Sequence, residues 1–541
     1  MKYELMGDNN INNPIKTIVN NRNIDESLFN IDELAIEDYN NYDNIEEGIK
    51  LLLKHINDNN KISMVVDCDV DGHTSFSIIY NYLKTIFPNI NIELLLHSGK
   101  QHGLSSDIII NDDINLVILT DSSSNDFNQH QELKSRGIDV LVIDHHECDG
   151  GYSPYAIVIN NQLSDRIKNK NASGALVCFK FIKALDDYLF ENKADRYCDL
   201  TMWGNIADMM DLHEKETRYY VYQGIKNINN LFLKALMEIK SYELESKLNI
   251  SSIGWTISPS VNGTIRSGTD EEKLRMAQAF ISDDYEFCLE VAKMCKKVKS
   301  RQDTAVKSAL KKIELKINIK KEDRCIILNV GKTLSKSHTG LVAGKIASKY
   351  NLPTLLYREV DGKENYIGGS FRGIKNISES LRTDILNSGL VVFSQGHELA
   401  GGYQLNKGKL DDLKNYLNNL YKDKEIIDSK EYKVDFILEN NEIDGKIVNK
   451  LSQLEDEFGN GIEIPLIAFK NIELNLDESN KKGRLNIVFY INDIKFIKKF
   501  ATNILKGQII NKSLRVDIIG KCTMDTYNNS GQVEIVDMQI I

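Results

Sequence analysis

The chain has 541 residues, of which 42% are hydrophobic and 27% charged, with a formal net charge of −11. This length exceeds what one hydrophobic core supports, so we expect three or four domains. Taken alone, the acidic net charge argues against a nucleic-acid partner, and without a run of about 18 apolar residues we expect no membrane span.

The first fifty residues are polar and predict an N-terminal helical segment of the core, residues 1–50. Within the next predicted domain, residues 51–283, short apolar runs alternate with helical stretches as far as Asn160. Such alternation predicts βαβ units and a parallel sheet. The predicted strands are ISMVV, NIELLLH, NLVILTD, VLVID and AIVIN.

Three carboxylates follow the first strand at alternate positions, in the stretch MVVDCDVDGHTS: Asp67, Asp69 and Asp71. Like charges this close repel each other, and a bound cation relieves the repulsion. The first six positions match a calcium-binding EF-hand loop, but its twelfth position requires glutamate and is Ile78. An EF-hand loop also follows a helix, so structural calcium binding is the weaker interpretation.

Two further predicted strands end in Asp121 and Asp144. Because functional groups collect at the carboxyl ends of parallel strands, we expect these carboxylates beside Asp67. His145 and His146 follow directly, and imidazole with carboxylate suits Mn²⁺ whereas carboxylates alone suit Mg²⁺. Adjacent side chains diverge, so one histidine is expected to bind metal and the other to meet substrate or support the site.

Asp208, at the end of GNIAD, is a further candidate, although a lone aspartate there is more often a surface residue. Two divalent ions about 3.5–4 Å apart can activate hydroxide and stabilise in-line attack at phosphorus without a Ser or Cys nucleophile. A phosphate-loop motif is missing, so ATP use is not indicated. The side chains that can hold two ions are Asp67, Asp69, Asp71, Asp121, Asp144, His145 and Asp208.

Residues 171–287 predict mostly helices, interrupted by SIGWTISPSVNGTIRSG. A long helix over 284–318 follows, and between Lys293 and Lys321 eleven Lys or Arg accompany two acids. This pattern fits either a solvated helix face or a wall that meets a phosphate backbone. Residues 319–428 predict a second α/β domain, and residues 429–541 predict a small β-barrel of short strands.

The ordered motifs DCDVDG, TD, DHH and GNIAD resemble motifs I to IV of the DHH phosphoesterases. The resemblance extends over essentially the full length to one branch, the RecJ exonucleases. It implies an α/β multidomain protein with a parallel-sheet DHH domain, a long linking helix, a DHHA1 domain and a C-terminal OB-fold barrel. The segments that carry it are IVNNRNI, QHGLSSDII, ASGALVCFK, SPSVNGTIRSG, VKSRQ, HTGLVAGKIASKYNLPTLL, GGSFRG, SQGHELAGGYQL and LEDEFGNGIEIPLIAF.

The resemblance implies a 5′-to-3′ exonuclease that degrades single-stranded DNA to mononucleotides in DNA repair or recombination, with the strand between the DHH and DHHA1 domains. It implies two divalent ions, Mn²⁺ or Mg²⁺. The implied catalytic group is Asp144, His145 and His146. The implied metal ligands are Asp67, Asp69, Asp71, Asp121, His145 and Asp208, with Asp67 and Asp144 either ligands or supporting residues.

The resemblance also implies residues that hold the DNA strand. An arginine fork suits phosphate oxygens, and paired glycines let a backbone approach closely, although a surface arginine or a packed glycine is the simpler interpretation of each. The implied phosphate-binding residues are Arg266, Ser370, Arg372 and His397. The implied channel residues are Asn262, Arg301, Gly369 and Gly396. Departures from the family pattern occur at Ile265, Gly373 and Gln395.

Three alternatives stay open: a DHH phosphodiesterase for short RNA oligonucleotides or cyclic dinucleotides, a non-catalytic single-strand-binding subunit, and a pyrophosphatase. The C-terminal barrel argues against the first and third, and the intact acidic motifs against the second. Scattered cysteines without a C-x-x-C pair and an N-terminus without an apolar signal region predict a cytoplasmic protein. We expect a monomer acting on single-stranded DNA, with a single-stranded-DNA-binding protein or a helicase as possible partner. Candidate base-stacking aromatics in the barrel are Phe489, Tyr490 and Phe496, of which alternation predicts some to be core.

Overall fold

The computed structural model divides into two compact units, residues 1–295 with 431–541 and residues 296–430. No helix in the described part of the chain is long and apolar enough to cross a membrane. The described residues are 1–98, 101–148, 150–244, 248–320, 322–360, 362–424, 431–474, 477–481, 484–498, 514–525 and 527–541.

The N-terminal segment contains a strand that the sequence did not predict. This strand, β1 (Lys2–Leu5), pairs in parallel with residues 431–434, far away in the chain, so no local pattern announces it. The two helices here are α1 (Pro14–Arg22) and α2 (Ile45–Asn57), with three short 3-10 turns between them. The predicted division at residue 50 falls within α2.

The predicted parallel sheet is confirmed, with the strand order β3-β2-β4-β5-β6. Its strands are β2 (Ile62–Val66), β3 (Ile92–Leu96), β4 (Leu116–Thr120), β5 (Asp139–Asp144) and β6 (Ile157–Asn160). The accompanying helices are α3 (Val70–Ile86), α4 (Phe127–Ser135) and α5 (Gly174–Leu189). β2 and β4 are buried along their whole length, which is why both are mostly apolar and neither alternates regularly between apolar and polar residues.

Helices follow the sheet, and the interruption predicted at SIGWTISPSVNGTIRSG is wrong. This segment is helical, with a π-helical turn over Ile253–Ile257. Pro259 lies in the first turn of the helix after that turn, where a missing N–H costs little. The helices are α6 (Cys198–Ala207), α7 (Lys215–Lys226), α8 (Leu231–Ile239), α9 (Ser241–Leu244), α10 (Ile250–Ser252), α11 (Ser258–Ser267) and α12 (Asp270–Phe280).

The predicted long helix is α13 (Tyr285–Glu314), which begins in the first unit and ends in the second. The described part of the second unit contains a mixed sheet with the order β10-β11-β9-β8-β7, in which β7 and β8 are parallel and the other pairs antiparallel. Its elements are β7 (Ile326–Asn329), α14 (Thr339–Tyr350), β8 (Thr354–Val360), β9 (Lys363–Arg372), α15 (Leu381–Asn387), β10 (Val391–His397), β11 (Ala400–Asn406) and α16 (Leu410–Leu420).

The C-terminal segment is rich in strands, as predicted, but a closed barrel is not confirmed. The sheet order is β13-β14-β18-β19-β17-β16-β15, and its first and last strands are not paired in the described part of the chain. Its elements are β12 (Glu431–Val434), β13 (Phe436–Glu439), α17 (Gly445–Gln453), β14 (Ile467–Leu474), β15 (Asp477–Lys481), β16 (Arg484–Ile491), β17 (Ile494–Lys498), β18 (Leu514–Asp525) and β19 (Ser530–Ile540).

The core of the C-terminal segment decides which of its aromatic side chains can meet a ligand. Phe489 and Phe496 are buried and stacked on each other, with ring centroids 5.2 Å apart. They are core residues, whereas Tyr490 keeps 65% of its surface exposed. Among the three candidates for base stacking, only Tyr490 is therefore accessible.

Candidate metal centre

The loop after β2 brings three carboxylates to the edge of the parallel sheet. Asp67 follows the strand and is buried, and Asp69 caps α3 by accepting a hydrogen bond of 2.9 Å from the Gly72 amide. Asp71 lies in the first turn of α3 and accepts hydrogen bonds from two amides at the start of α5. A Cβ on Gly72 would lie 2.5 Å from the Cβ of Asp67, so the turn that gathers these carboxylates requires glycine here.

β4 and β5 deliver the next groups to the same edge. Asp121 follows β4 with a φ of 61°, a left-handed conformation that aspartate tolerates better than most residues. Asp144 ends β5 and accepts hydrogen bonds from the backbone amides of His145 at 2.7 Å and Ser124 at 3.1 Å. It also accepts one from Nδ1 of His146 at 2.8 Å. Asp144 therefore holds the DHH loop in place.

His145 is at the centre of the cluster. Its Nε2 lies 3.1 Å from Oδ1 of Asp121, 3.6 Å from Oδ2 of Asp208 and 3.9 Å from Oδ2 of Asp71. Asp208 is the residue at which α6 ends. Together with Asp69, these residues from four chain segments meet where the sequence predicted a metal centre.

The donor atoms fit two divalent ions. Four partly overlapping sets of three such side chains occur among the described residues, and two of these sets share no residue: Asp67, Asp69 and Asp121, and Asp71, His145 and Asp208. Within each set the donor atoms lie within 4.8 Å of one another. Oδ1 of Asp121 is buried and accepts no hydrogen bond from the described residues. An unsatisfied buried carboxylate oxygen among hard oxygen and imidazole donors is what Mn²⁺ or Mg²⁺ coordination would satisfy.

Burial and mutual repulsion raise the pKa of three of these carboxyl groups. Burial, with the nearby charge of Asp69, raises the pKa of Asp71 to about 6. Burial and then the charge of Asp71 hold the pKa of Asp121 and of Asp208 well above the usual value. These shifts describe a site that carries excess negative charge until cations neutralise it.

The two adjacent histidines differ in protonation because their surroundings differ. Burial and the neighbouring His146 charge lower the pKa of His145 to about 4, so its ring is neutral and can donate a lone pair to a metal. Burial also disfavours charge on His146, but the carboxylate of Asp144 outweighs it and raises the pKa of His146 to about 9. His146 is therefore a cation at neutral pH, with a side chain half exposed to solvent.

Sequence reasoning missed His102, which contacts the centre from the loop after β3. Its Nδ1 donates a hydrogen bond of 2.6 Å to Oδ2 of Asp67, and the Gly103 amide donates one of 3.2 Å to Oδ1. The hydrogen bonds to Asp67 and to Cys68 raise the pKa of His102 to about 11. The only available signal was the resemblance of QHGLS to a family element, which gave this histidine no role.

α11 carries two of the predicted strand-binding residues, Asn262 and Arg266. Burial lowers the pKa of Arg266, while the carboxylate of Asp69 opposes that shift. Arg266 is therefore close enough to Asp69 to interact electrostatically with the metal centre. Asn262 is half buried on the same helix.

In the second unit, strand register brings the other predicted phosphate-binding residues together. Ala400 of β11 pairs with Arg372 of β9 on one side and with His397 of β10 on the other. Ser370 lies two residues before Arg372 and its Oγ is 2.8 Å from Oγ1 of Thr339. These side chains belong to one end of the mixed sheet.

Glycines keep that end of the sheet closely packed. A Cβ on Gly369 would lie 1.9 Å from the carbonyl oxygen of Leu356, and Gly396 has a φ of 115°. Both positions therefore require glycine. Arg301, the remaining predicted channel residue, is exposed on α13.

Comparison with known proteins agrees with this architecture. The DHH family, N-terminal domain, matches residues 61–209. The whole chain is 33% identical to a putative SPbeta prophage-derived single-strand DNA-specific exonuclease, YorK, of Bacillus subtilis, and covers 98% of it. It is 24% identical to the single-stranded-DNA-specific exonuclease RecJ of Bacillus subtilis, over 91% of this chain and 62% of that protein.

The fold is also that of a solved RecJ. The crystal structure of RecJ in complex with Mn²⁺ from Thermus thermophilus matches with a TM-score of 0.74 at 18% identity, over 99% of this chain and 79% of that one. A DHH domain with clustered acidic and histidine side chains defines a metal-dependent phosphoesterase class. The chain belongs to the family of RecJ-like DHH exonucleases, which confirms the resemblance in the sequence motifs and makes it a nuclease.

Proposed function

We propose that this protein is a 5′-to-3′ exonuclease that degrades single-stranded DNA to mononucleotides with two divalent metal ions, Mn²⁺ or Mg²⁺. The observation that carries the proposal is the pair of separate three-residue donor sets around the unsatisfied Oδ1 of Asp121. The substrate class rests on the names of the relatives, which are single-strand DNA-specific exonucleases.

Each residue of the centre has a role in this proposal. Asp67, Asp69 and Asp121 hold one ion, while Asp71, His145 and Asp208 hold the other. When bound, the ions supply an activated hydroxide and neutralise charge on the phosphate that is attacked. The neutral ring of His145 is a ligand, and Asp144 keeps His146 protonated and oriented so that it can donate a hydrogen bond to a phosphate oxygen.

Substrate holding is assigned to groups in both units. Arg266 meets phosphate beside the centre, and Ser370, Arg372 and His397 form a phosphate-binding group at one end of the second sheet. The channel also includes Asn262, Arg301, Gly369 and Gly396. The exposed side chain of Tyr490 supports a single-strand-binding role for the C-terminal segment, proposed as an OB-fold. A role in DNA repair or recombination, beside a single-stranded-DNA-binding protein or a helicase, completes the proposal.

The test is digestion of single-stranded DNA labelled at either end, in Mn²⁺ and in Mg²⁺, with blunt duplex and short RNA oligonucleotides alongside. We expect mononucleotides to be released from the 5′ end of single strands. Asp121→Asn should abolish this release. Asp113→Asn is the matched control, because Asp113 precedes β4, is mostly exposed and pairs with Lys61 on the surface.

The other outcomes separate the alternatives. Release from the 3′ end would contradict the proposed polarity. Hydrolysis of short RNA without cleavage of DNA would favour an oligoribonucleotide phosphodiesterase, and binding without cleavage in both metals would favour a non-catalytic subunit.

A further inference from the structure

A cavity of about 140 Å³ lies next to the metal centre, lined by residues on both sides of Asp208. Asn205, Ile206 and Met209 form one wall, and Trp255 and Phe458 belong to others. We propose that this cavity binds one nucleobase of the single strand whose backbone is cut at the metal centre. The inference rests on the function proposed above and adds a base-binding subsite to it.

The cavity walls come from three chain segments that are fixed to each other. The Asn460 side-chain amide donates a hydrogen bond to the carbonyl of Met209, and the Leu212 amide donates one of 3.0 Å to the carbonyl of Asn460. A Cβ on Gly459 would lie 2.5 Å from Cδ1 of Leu212, so the segments are in close contact here. The space is therefore held open between tightly packed walls.

The lining offers flat and polarizable surfaces. Trp255 lies in the π-helical turn and keeps 72% of its surface exposed. π-helical turns are rare and are frequently found at functional sites. Met209 is also exposed, and a methionine sulfur packs well against an aromatic ring. An exposed indole in a cavity that a thioether also lines offers a surface on which a nucleobase can stack, whichever base it is.

The size of the cavity and the charge of its lining favour a nucleobase over a phosphate group. No lysine, arginine or histidine is among the described residues that line the cavity, and the carboxylate of Glu463 would repel a phosphate. The Ser251 hydroxyl and Oδ1 of Asn460 supply polar groups for the edge of a ring. Pockets that enclose a drug-sized molecule have about 300–1,000 Å³, so this smaller space suits a single heterocyclic ring system.

The cavity is joined to the metal ligands through short connections. Asp208 is covalently bonded to Met209. Oδ1 of Asn205 accepts a hydrogen bond of 3.2 Å from the Ser173 amide, and the next amide, of Gly174, donates one of 2.7 Å to Oδ2 of Asp71. A base seated here would hold its nucleotide at a fixed position relative to the ions, as in-line attack requires.

The test combines a change in the protein with a change in the substrate. Single strands carrying one abasic nucleotide at successive positions are digested by the wild type and by Trp255→Ala. In the wild type, an abasic nucleotide at one position should raise KM about five- to hundredfold, the range for loss of a base–aromatic stack. With the intact strand, Trp255→Ala should already have this raised KM. An abasic nucleotide at the same position should not raise the KM of this variant further.

Two further variants act as controls. Trp255→Phe should retain most of the affinity, and Tyr188→Ala, which removes an exposed aromatic side chain outside the cavity, should change nothing. An unchanged KM for Trp255→Ala, or a full abasic penalty that persists in it, would overturn the base-binding site while leaving the exonuclease proposal intact. Failure of the wild type to cut intact single strands would instead contradict the exonuclease proposal.

A second readout needs no cleavage. The chain has two tryptophans, and Trp203 is fully buried, so acrylamide quenching reports on Trp255. In EDTA, an intact single strand should protect the fluorescence from quenching, and a fully abasic strand of equal length and charge should not. Equal protection by both strands would contradict base binding.

Discussion

At the scale of single residues, His102 supports the metal centre without belonging to the predicted ligand set. Its protonated ring donates a hydrogen bond of 2.6 Å to the buried carboxylate of Asp67. His102→Ala should weaken Mn²⁺ binding about 10- to 100-fold, the usual cost of removing a partner of a metal ligand. Calorimetric titration of the metal-free protein with Mn²⁺ measures this.

The matched variant His102→Gln keeps a side-chain N–H donor and should recover part of the affinity. Equal Mn²⁺ affinity in the wild type and in His102→Ala would show that this hydrogen bond does not orient Asp67 for binding.

Asp71 makes the stability of the metal-free protein depend on pH. Its pKa is raised from 3.8 in the unfolded chain to about 6 in the folded one. A raised pKa contributes stability that is complete below pH of about 4 and is lost as the pH rises through 6. From pH 4.5 to 7.5 the wild type should therefore lose about 1–3 kcal/mol relative to Asp71→Asn.

Urea unfolding of both proteins in EDTA at several pH values measures the difference, which also contains the effect of the lost Asp71 charge on the pKa of Asp121 and of Asp208. Saturating Mn²⁺ should remove the dependence by holding the carboxylate ionised. Parallel pH profiles for the two metal-free proteins would show that Asp71 is not shifted.

Asp67, Asp121 and Asp144 were readable in the sequence because each lies at the end of an apolar strand, whereas Asp208 lies at the end of a helix and was indicated only by its motif. The protonation state of each histidine was not readable. His146 and His145 are neighbours in the chain, yet Asp144 holds one charged and burial keeps the other neutral. That difference depends on which way each ring points, which spacing alone does not fix.

At the scale of secondary-structure elements, β9 requires glycine at position 369. At position 402 of the paired strand β11, by contrast, there is room for a side chain. A Cβ on Gly369 would lie 1.9 Å from the carbonyl oxygen of Leu356, whereas one on Gly402 would meet its nearest atom at 3.5 Å. Gly369→Ala should cost about 1–3 kcal/mol of unfolding free energy through overpacking.

The free energy of unfolding of Gly402→Ala should stay within about 0.5 kcal/mol of the wild-type value. Chemical denaturation of both variants measures these free energies. If both substitutions lower the free energy of unfolding equally, the close approach at Gly369 is not the cause. The two strands would then be sensitive to any added side chain.

Buried strands and the long helix were predicted because their sequence patterns are strong and local. For the helical segment from Ile250 to Ser267 the sequence predicts an interruption, since glycine, proline and serine usually end helices. Here the proline lies in a first helical turn, and the glycines lie within helices.

At the scale of the whole molecule, the N-terminal segment is tied to the C-terminal one by an ion pair. Arg22 donates hydrogen bonds of 2.7 and 2.6 Å to the two carboxylate oxygens of Asp435, whose side chain is fully buried. Arg22→Ala would leave that charge without its partner, so we expect a loss of about 3–5 kcal/mol of unfolding free energy.

Thermal unfolding measures the effect, and the double variant Arg22→Met with Asp435→Asn should be less destabilised than Arg22→Ala because it leaves no unpaired buried charge. Arg136→Ala serves as the control, since its partner Asp112 is exposed. A loss no larger than that of the control would mean that water reaches Asp435 once Arg22 is removed.

By itself the sequence determined the parallel sheet, the carboxylates at its edge and the family, because strand ends and ordered motifs are local features. Only the tertiary structure decided the pairing of β1 with β12, the contact of His102 with Asp67, and the cavity beside Asp208. Each of these joins segments distant in the chain, and their contacts depend on packing and register rather than on any pattern within one segment.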